Sequence, residues 1–201
     1  MEFCALLLAA GDSNRFGADK RFIGSPPLLE KTLHSLYSSY EYIVLIHKEG
    51  DDLSALRVDR EKVILLPHSK HEDSSLGASI AKGVAYLLES NINPKFCAIH
   101  LADMPFIRKK TIDELHQRCL RTRSTTQESQ CIVRPIFENA KGHPVIFSEH
   151  FFYSLNQLKN CDGAKEVIRQ NPASYREILT LDQGVIQDID TPDTACKFGL
   201  V

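Results

Sequence analysis

The sequence lacks the features that mark several common classes of protein. It contains no apolar run that approaches the ~18 residues of a membrane span, and its amino-terminal stretch shows neither the basic region nor the cleavage site of a signal peptide. Its six cysteines include no Cys-X-X-Cys pair, so the common metal and redox motifs are missing. We therefore expect buried free thiols, a reducing cytoplasmic location and no membrane partner.

The chain also lacks a charge bias. It has 24 Lys and Arg against 26 Asp and Glu, a formal net charge of -2, which does not favour nucleic acid as a partner. With 43% hydrophobic and 25% charged residues, it is typical of a globular protein. We expect a single domain over residues 1–201, large enough for a real core.

The two best-known phosphate-binding loops are absent as well. A Walker A loop has four residues between its glycines and then Gly-Lys-Ser/Thr, and a dinucleotide fingerprint is G-x-G-x-x-G. Here an apolar run, Phe3–Ala9, leads into a loop with five residues between Gly11 and Gly17, and it ends with Lys20. Backbone N–H groups of such a turn can bind phosphate oxygens, and the cations Arg15 and Lys20 add charge.

Strand-like and helix-like stretches alternate along the chain. This alternation predicts an α/β fold with three layers, built on a doubly wound, mostly parallel sheet of Rossmann-like type, with ligands at the carboxyl ends of the strands. The predicted strands cover 3–9, 42–46, 62–66, 96–101, 131–137, 144–147, 175–181 and 185–189, and the predicted helices begin near 27, 51, 76, 108, 148 and 165. We expect the helix at 51 to be short and residues 122–130 to form a surface loop.

Acidic residues follow two of the predicted strands. Asp103 comes directly after 96–101, an almost entirely apolar strand that we expect to be central. Asp188 and Asp190 alternate in the last predicted strand and would share one face. The alternatives remain that Asp103 caps the following turn and that the two later carboxylates are only solvated. Thr191 is expected to cap the final helix, with Pro192 at its first position.

Four motifs, in order, resemble those of the MobA-like NTP transferases, and most of all their molybdenum cofactor cytidylyltransferase group. The run Leu6–Lys20 resembles the signature L-A-A-G-x-S-x-R-M/F-G-x-x-K, and L-A-D-M-P-F-I at 101–107 matches the second motif. G-H-P-V-I-F at 142–147 and D-I-D-T-P-D at 188–193 match two further motifs. The resemblance covers residues 3 to about 194.

The resemblance implies an enzyme that transfers a nucleoside monophosphate, CMP from CTP in the first instance, to a phosphorylated acceptor of molybdopterin type and releases pyrophosphate. It implies Mg²⁺ as cofactor, held by Asp103 and Asp190, with Asp188 as the second choice. Catalytic roles fall on Arg15, Lys20 and Asp103. The implied nucleotide- and substrate-binding residues are Leu8, Ala9, Ala10, Gly11, Ser13, Gly77, Ser79, Gly142, His143, Asp162 and Lys165.

Several of these roles have alternatives. Gly77 and Ser79 suit a helix start that packs in the core as well as one that binds nucleotide. His143 suits substrate contact or the ordering of a turn. Lys165 stands where the family usually has arginine, which puts bidentate phosphate binding in doubt.

The choice of substrates rests on small differences. Ala9 and Ala10 precede Gly11 where guanylyl-transferring relatives more often have Gly-Gly, which favours CTP over GTP. An H-D-A-A-R-P-like run after the fourth strand is absent, which disfavours methylerythritol phosphate; other sugar phosphates stay open. A nucleotide-binding module without turnover, acting as a partner of a molybdenum enzyme, is the alternative from another functional class.

Overall fold

The computed structural model describes residues 1–11, 16–69, 75–125, 130–159 and 162–200, without the side chains of 123–125. Within these residues the strands are β1 Phe3–Ala9, β2 Tyr42–Lys48, β3 Val63–His68, β4 Phe96–Leu101, β5 Ile132–Phe137, β6 Ala140–Lys141, β7 Val145–Ser148 and β8 Tyr175–Leu179. The helices are α1 Leu28–Leu36, α2 Leu76–Glu89, α3 Lys109–Thr125, α4 Phe152–Asn156, α5 Lys165–Gln170 and α6 Pro192–Lys197.

The strands form a single mixed sheet in the order β3-β2-β1-β4-β7-β5-β6, and β8 pairs with β5. β3, β2, β1 and β4 are parallel neighbours, β7 runs antiparallel between β4 and β5, and β8 is parallel to β5. The predicted α/β fold with a mostly parallel sheet is therefore confirmed, and β4 is central as predicted.

Helices cover both faces of this sheet, which gives the three layers. In β1, Ala5 and Leu7 pack in one core cluster together with residues of α1 and α3. Leu6 and Leu8 pack in a second cluster together with residues of α2 and α4. Because both faces are covered, nearly every residue of β1 is apolar, as parallel strands in such folds are.

The start of α2 follows from local chemistry. The Ser75 side chain accepts a hydrogen bond from the backbone N–H of Ala78 at 3.2 Å and caps the helix. Ile80, Val84 and Leu87 are buried, whereas Leu88 is 49% exposed. The buried face of α2 therefore contains Ile80, Val84 and Leu87 and leaves Leu88 outside it.

Some predicted elements are wrong. Residues 51–56 form no helix, and only 54 and 55 lie in a turn. The Asp51 carboxylate accepts the Lys48 N–H at 2.9 Å and so closes a turn where the helix was expected to begin. The predicted strand at 185–189 does not form: residues 183–186 are a 3-10 turn instead, since the Asp182 side chain accepts the Gly184 N–H at 3.0 Å. Residues 122–125, predicted as the start of a surface loop, belong instead to α3, and 126–129 lie outside the described residues.

Two further expectations concern the termini of helices and the cysteines. Ser148 ends β7, and the predicted helix 148–158 is a 3-10 turn followed by the short α4. Thr191 caps α6 with Pro192 at its first turn, as predicted.

Cys4, Cys97, Cys119 and Cys131 are buried free thiols as expected, Cys196 is exposed, and Cys161 is outside the described residues. None of the described helices has the length and apolarity needed to cross a membrane.

Candidate functional site

A cavity of about 350 Å³ opens at the carboxyl ends of β1 and β4. This is the edge of a parallel sheet at which ligands bind in open α/β folds. Its walls come from the end of β1, the 3-10 turn at Lys20–Phe22, the starts of α1 and α2, the end of β4 and the segment before α6. The lining residues are Leu8, Ala9, Ala10, Gly11, Lys20, Arg21, Leu28, Leu76, Ser79, Leu101, Ala102, Asp103 and Asp190.

Lys20 joins the two acidic positions inside this cavity. Its Nζ donates to Oδ2 of Asp103 at 2.7 Å and to Oδ1 of Asp190 at 2.5 Å. The three side chains are 13%, 20% and 19% exposed, so they are shielded but open to a ligand. Partial burial alone would lower the pKa of Lys20, but Asp103 and Asp190 outweigh it and the net pKa is raised. Lys20 is thus a charged ammonium between two carboxylates.

Backbone contacts bring the two carboxylates together. Asp103 follows β4, and its carbonyl oxygen accepts the N–H of Ile189 at 3.0 Å. Ile189 is fully buried in a small cluster with Phe16 and Leu28. Asp190 is therefore positioned by a buried neighbour and a single backbone hydrogen bond, without the strand alternation that the sequence suggested.

Asp188 lies beside this site but lines neither of the cavities described here. Its residue is exposed. The pKa of Asp188 is raised, first by partial desolvation and then by the neighbouring carboxylates of Asp190 and Asp103. The sequence left Asp188 as a second choice because strand alternation would place it on the same face as Asp190, and no strand forms there.

The acidic pair fits a divalent cation such as Mg²⁺. Oδ1 of Asp103 is buried and has no hydrogen-bond partner among the described residues, and carboxylate oxygens are the donors that Mg²⁺ prefers. The described residues contain no group of three or more His, Cys, Asp or Glu that could hold a metal alone. A metal here would need phosphate and water oxygens to complete its coordination, which is usual for Mg²⁺.

A smaller cavity of about 70 Å³ adjoins the first, and the two share Leu76 and Leu101 as wall residues. Three predicted substrate-binding residues, His143, Asp162 and Lys165, line it. The complete lining is Leu76, Ile80, Ile99, Leu101, Arg134, His143, Val145, Asp162, Ala164, Lys165 and Ile168.

The charges of the smaller cavity differ in burial. Lys165 Nζ lies 3.5 Å from Oδ1 of Asp162, and these side chains are 72% and 75% exposed. His143 donates through Nδ1 to the Ile99 carbonyl at 3.4 Å. Burial, and then the charge of Arg134, lower the pKa of His143 to about 4. His143 is therefore neutral at physiological pH, and its ring is held by the backbone of β4.

Other predicted site residues line neither cavity. Gly77 is buried in the first turn of α2. Gly142 packs against Val185, where an added Cβ would lie 2.6 Å from the Val185 carbonyl oxygen. Ser13 and Arg15 lie outside the described residues.

Sequence analysis missed two cations in the cavity walls, Arg21 and Arg134. Arg21 directly follows Lys20 and is 4% exposed, and Arg134 projects from β5, where its Nε donates to the Gly142 carbonyl at 2.9 Å. For Arg134 the available signal was a charged residue inside an otherwise apolar strand, whereas Arg21 stands in the charged run Asp19-Lys20-Arg21 and gives no such signal. That signal does not identify the partner, because the partner is distant in sequence.

The comparisons with known proteins agree with this architecture. The chain is 28% identical over 129 residues to 2-C-methyl-D-erythritol 4-phosphate cytidylyltransferase of Thermotoga neapolitana. That match covers 61% of this chain and 56% of the relative, so the chain spans only about half the length of the curated relative it matches.

Solved structures share the fold over nearly the whole chain. Rv0371c of Mycobacterium tuberculosis H37Rv superimposes with a TM-score of 0.75 at 22% identity, covering 98% of both chains. CMP:2-keto-3-deoxy-manno-octonic acid synthetase complexed with CTP superimposes with a TM-score of 0.67 at 12% identity, covering 98% of this chain and 97% of that one. At these identities the likeness shows the fold alone.

One protein family matches most of the chain. Residues 5–175 match the MobA-like NTP transferase domain, a range that includes the end of β1, Lys20, Asp103 and the smaller cavity. The resemblance inferred from the motifs is thereby confirmed at the level of the family: this chain belongs to the MobA-like NTP transferases.

Proposed function

We propose that this chain transfers CMP from CTP to a phosphorylated acceptor and releases pyrophosphate. The observation that carries the proposal is the convergence of Lys20, Asp103 and Asp190 in a cavity also lined by residues 8–11. Transfer by direct attack of an acceptor phosphate on the α-phosphorus requires mainly positioning and neutralisation of charge. A cation between two carboxylates, beside exposed backbone at a strand end, supplies these elements.

Each residue has a role in this proposal. The backbone of Ala10 and Gly11 faces the triphosphate. Lys20 keeps the two carboxylates together in the free protein and neutralises phosphate oxygens in the complex. Asp103 and Asp190 would hold Mg²⁺, which would supply neutralisation of phosphate charge when bound. Ser79 lines the cavity near the start of α2, on the side that would receive the nucleoside.

Direct attack is favoured over a covalent enzyme intermediate. Ser79 is the hydroxyl residue of the cavity lining, and it is 5% exposed. Among the described residues that line this cavity there is no histidine to activate it, and an activated serine requires a neighbouring base.

The smaller cavity is the proposed place for part of the acceptor. Its shared wall with the larger cavity at Leu76 and Leu101 would bring an acceptor phosphate next to the nucleotide. Lys165 and Arg134 supply positive charge there. We propose molybdopterin bearing molybdenum as the first candidate, supported by the motif resemblance, with a molybdenum enzyme as the receiving partner and the cytoplasm as the location.

Methylerythritol phosphate is the second candidate acceptor. The match to the Thermotoga neapolitana cytidylyltransferase favours it. The absence of an H-D-A-A-R-P-like run, replaced here by His100-Leu101-Ala102-Asp103-Met104-Pro105, disfavours it. Both candidates require cytidylyl transfer, so they differ only in what occupies the smaller cavity.

Pyrophosphate release tests the proposal. The protein is incubated with Mg²⁺ and CTP, GTP or ATP, with each candidate acceptor and without one. We expect release with CTP that depends on the molybdopterin acceptor. Equal use of the three nucleotides would remove the cytidylyl assignment, and CTP binding without release from any acceptor would support a binding module instead of an enzyme.

A matched lysine variant controls for nonspecific loss. Lys95 also donates to a carboxylate, Glu149, at 2.9 Å and 3.1 Å, but it is 46% exposed and lies away from both cavities. Lys95→Ala should retain full pyrophosphate release under conditions in which Lys20→Ala loses most of it.

A further inference from the structure

Arg21 uses all of its hydrogen-bonding capacity inside the protein. A guanidinium has five N–H donors, and here each has an acceptor. Nε donates to Asp19 Oδ1 at 2.8 Å and Nη2 to Asp51 Oδ1 at 2.8 Å, while Nη1 donates to the Ala9 carbonyl at 2.7 Å. The remaining two donors contact the second oxygens of the same carboxylates. With 4% exposure, Arg21 has no donor left for a ligand.

The three partners of Arg21 belong to three different parts of the cavity edge. Ala9 is the last residue of β1, Asp19 directly precedes Lys20, and Asp51 follows β2. Asp51 is itself fixed, since it accepts the Lys48 N–H at 2.9 Å. One planar group therefore joins the end of β1, the turn that carries Lys20 and the end of β2.

Lys20 depends on this junction for its place. Asp19 caps the 3-10 turn Lys20–Phe22 by accepting the backbone N–H of Arg21 at 3.2 Å. If Asp19 moves, the backbone of Lys20 moves with it, and so does the ammonium between Asp103 and Asp190. Similarly, the bond to the Ala9 carbonyl fixes the backbone direction just before Ala10 and Gly11, which line the cavity.

We infer that Arg21 is a positioning residue for the nucleotidyl-transfer site: it holds Lys20 and the strand end of β1 in one rigid frame for the triphosphate. This inference rests on the function proposed above. Lysine could not replace it, because an ammonium has three donors on a point charge and cannot hold two carboxylates and a carbonyl in one plane. Arg21 acts through Lys20 and the backbone and does not touch substrate.

The test compares three variants with the wild-type protein. Arg21→Lys keeps the positive charge but not the planar guanidinium with its five donors. Arg21→Ala removes both, and Arg176→Ala is the control. Arg176 is an exposed arginine of β8 whose Nη1 donates to the Ala173 carbonyl at 2.6 Å, and it lines neither cavity. Melting temperature, circular dichroism, CTP affinity, and kcat and KM are measured for each, well below the lowest melting temperature.

We expect a fold-intact Arg21→Lys protein whose kcat falls by about 100-fold, since an ~1 Å misplacement of a catalytic group costs that much. KM for the acceptor should change less than threefold, because the smaller cavity does not contact Arg21. Arg21→Ala should fall at least as far and regain part of its kcat with added methylguanidinium, which would not restore Lys20→Ala. Wild-type kcat in folded Arg21→Lys, or a loss that only tracks the unfolded fraction, would overturn the inference.

The failure of the proposed function would look different. In that case the wild-type protein releases no pyrophosphate with any acceptor, but CTP binding by calorimetry still tests Arg21. At least tenfold weaker CTP binding by folded Arg21→Lys would support the frame, and unchanged binding would overturn it. If Arg21→Ala does not fold, Arg21→Lys carries the test alone.

Discussion

Lys20 and Arg21 are consecutive cations, and each meets two carboxylates, yet their environments differ. The Lys20 side chain is 13% exposed and faces the cavity, and its partner Asp103 keeps one buried oxygen without a hydrogen bond among the described residues. The Arg21 side chain is 4% exposed and every donor is used. The partners of Lys20 can still bind a ligand, whereas every donor of Arg21 is already used inside the protein.

Lys20 and Arg21 therefore have separate tasks although they are adjacent and carry the same charge. A flexible ammonium with three donors can exchange its partners when phosphates enter, whereas a planar guanidinium with five satisfied donors is costly to move. We therefore expect substitutions at Lys20 to affect chemistry more than folding, and substitutions around Arg21 to affect both.

The largest effect is expected for Lys20→Ala. Loss of the ammonium leaves Asp103 and Asp190 facing each other without compensation and removes charge from the triphosphate site. We expect kcat to fall by about 10³-fold, the upper range for one electrostatic donor, with a melting temperature near that of wild type. Steady-state pyrophosphate release measures this. A kcat within tenfold of wild type would contradict the catalytic role that distinguishes Lys20 from Arg21.

Asp51→Asn should weaken the ion pairs that hold Arg21 in place. It removes one carboxylate from a buried arginine, and breaking a buried ion pair costs ~3 kcal/mol or more. We expect the free energy of unfolding from urea titration to fall by that amount, with a smaller relative loss of kcat than in Lys20→Ala. Asp52→Asn, which changes an exposed neighbour, is the control and should leave stability unchanged.

As the pH falls, protonation of His116 should destabilise the fold before protonation of Asp19 weakens its ion pair with Arg21. Burial lowers the pKa of His116 to about 4, so the unfolded chain binds more protons than the folded one between roughly pH 6.5 and 4, and stability falls as pH falls through that window. The pKa of Asp19 is lowered: desolvation opposes this, but its hydrogen bonds and charge contact with Arg21 outweigh it. The contribution of Asp19 is therefore lost only below about pH 4.

His116→Gln checks this separation. The variant should reduce the slope of unfolding free energy against pH between 6 and 4.5 by up to ~1.4 kcal/mol per pH unit, the value for one proton. Urea titrations at several pH values measure it. An unchanged slope would contradict the assignment of this acid lability to His116.

Lys165→Arg should have the smallest effect. Lys165 is 72% exposed beside Asp162, and arginine would restore a planar fork for a phosphate. We expect KM for the acceptor to fall about threefold, equivalent to ~0.7 kcal/mol, with kcat and KM for CTP unchanged. A change in KM for CTP instead would place Lys165 with the nucleotide.

The sequence predicted the elements whose signals are local. β1 and β4 are continuous apolar runs, and the rule that strand ends share an edge brings Lys20 and Asp103 into one cavity, as the structure has them. The approach of Asp190 to the same point was also expected, but by strand alternation, whereas the structure achieves it through a hydrogen bond from Ile189 to the Asp103 carbonyl.

The errors have physical reasons. Residues 51–56 and 185–189 contain apolar residues at plausible spacing, but Asp51 and Asp182 use their carboxylates to close turns. The role of Arg21 depends on a partner thirty positions away in the chain, which a single sequence does not reveal.

The contact between Gly142 and Val185 bears on attempts to redesign the acceptor. An added Cβ at Gly142 would meet the Val185 carbonyl at 2.6 Å, and one at Gly184 would meet the Phe106 carbonyl at 2.1 Å. Gly142 packs the hairpin before β7 against Val185, and Gly184 packs the segment that leads to Asp190 against Phe106, so a larger residue at either position would shift the segment that carries Asp190. A directed-evolution library for new acceptors should keep both glycines and diversify Asp162 and Lys165, whose side chains reach solvent.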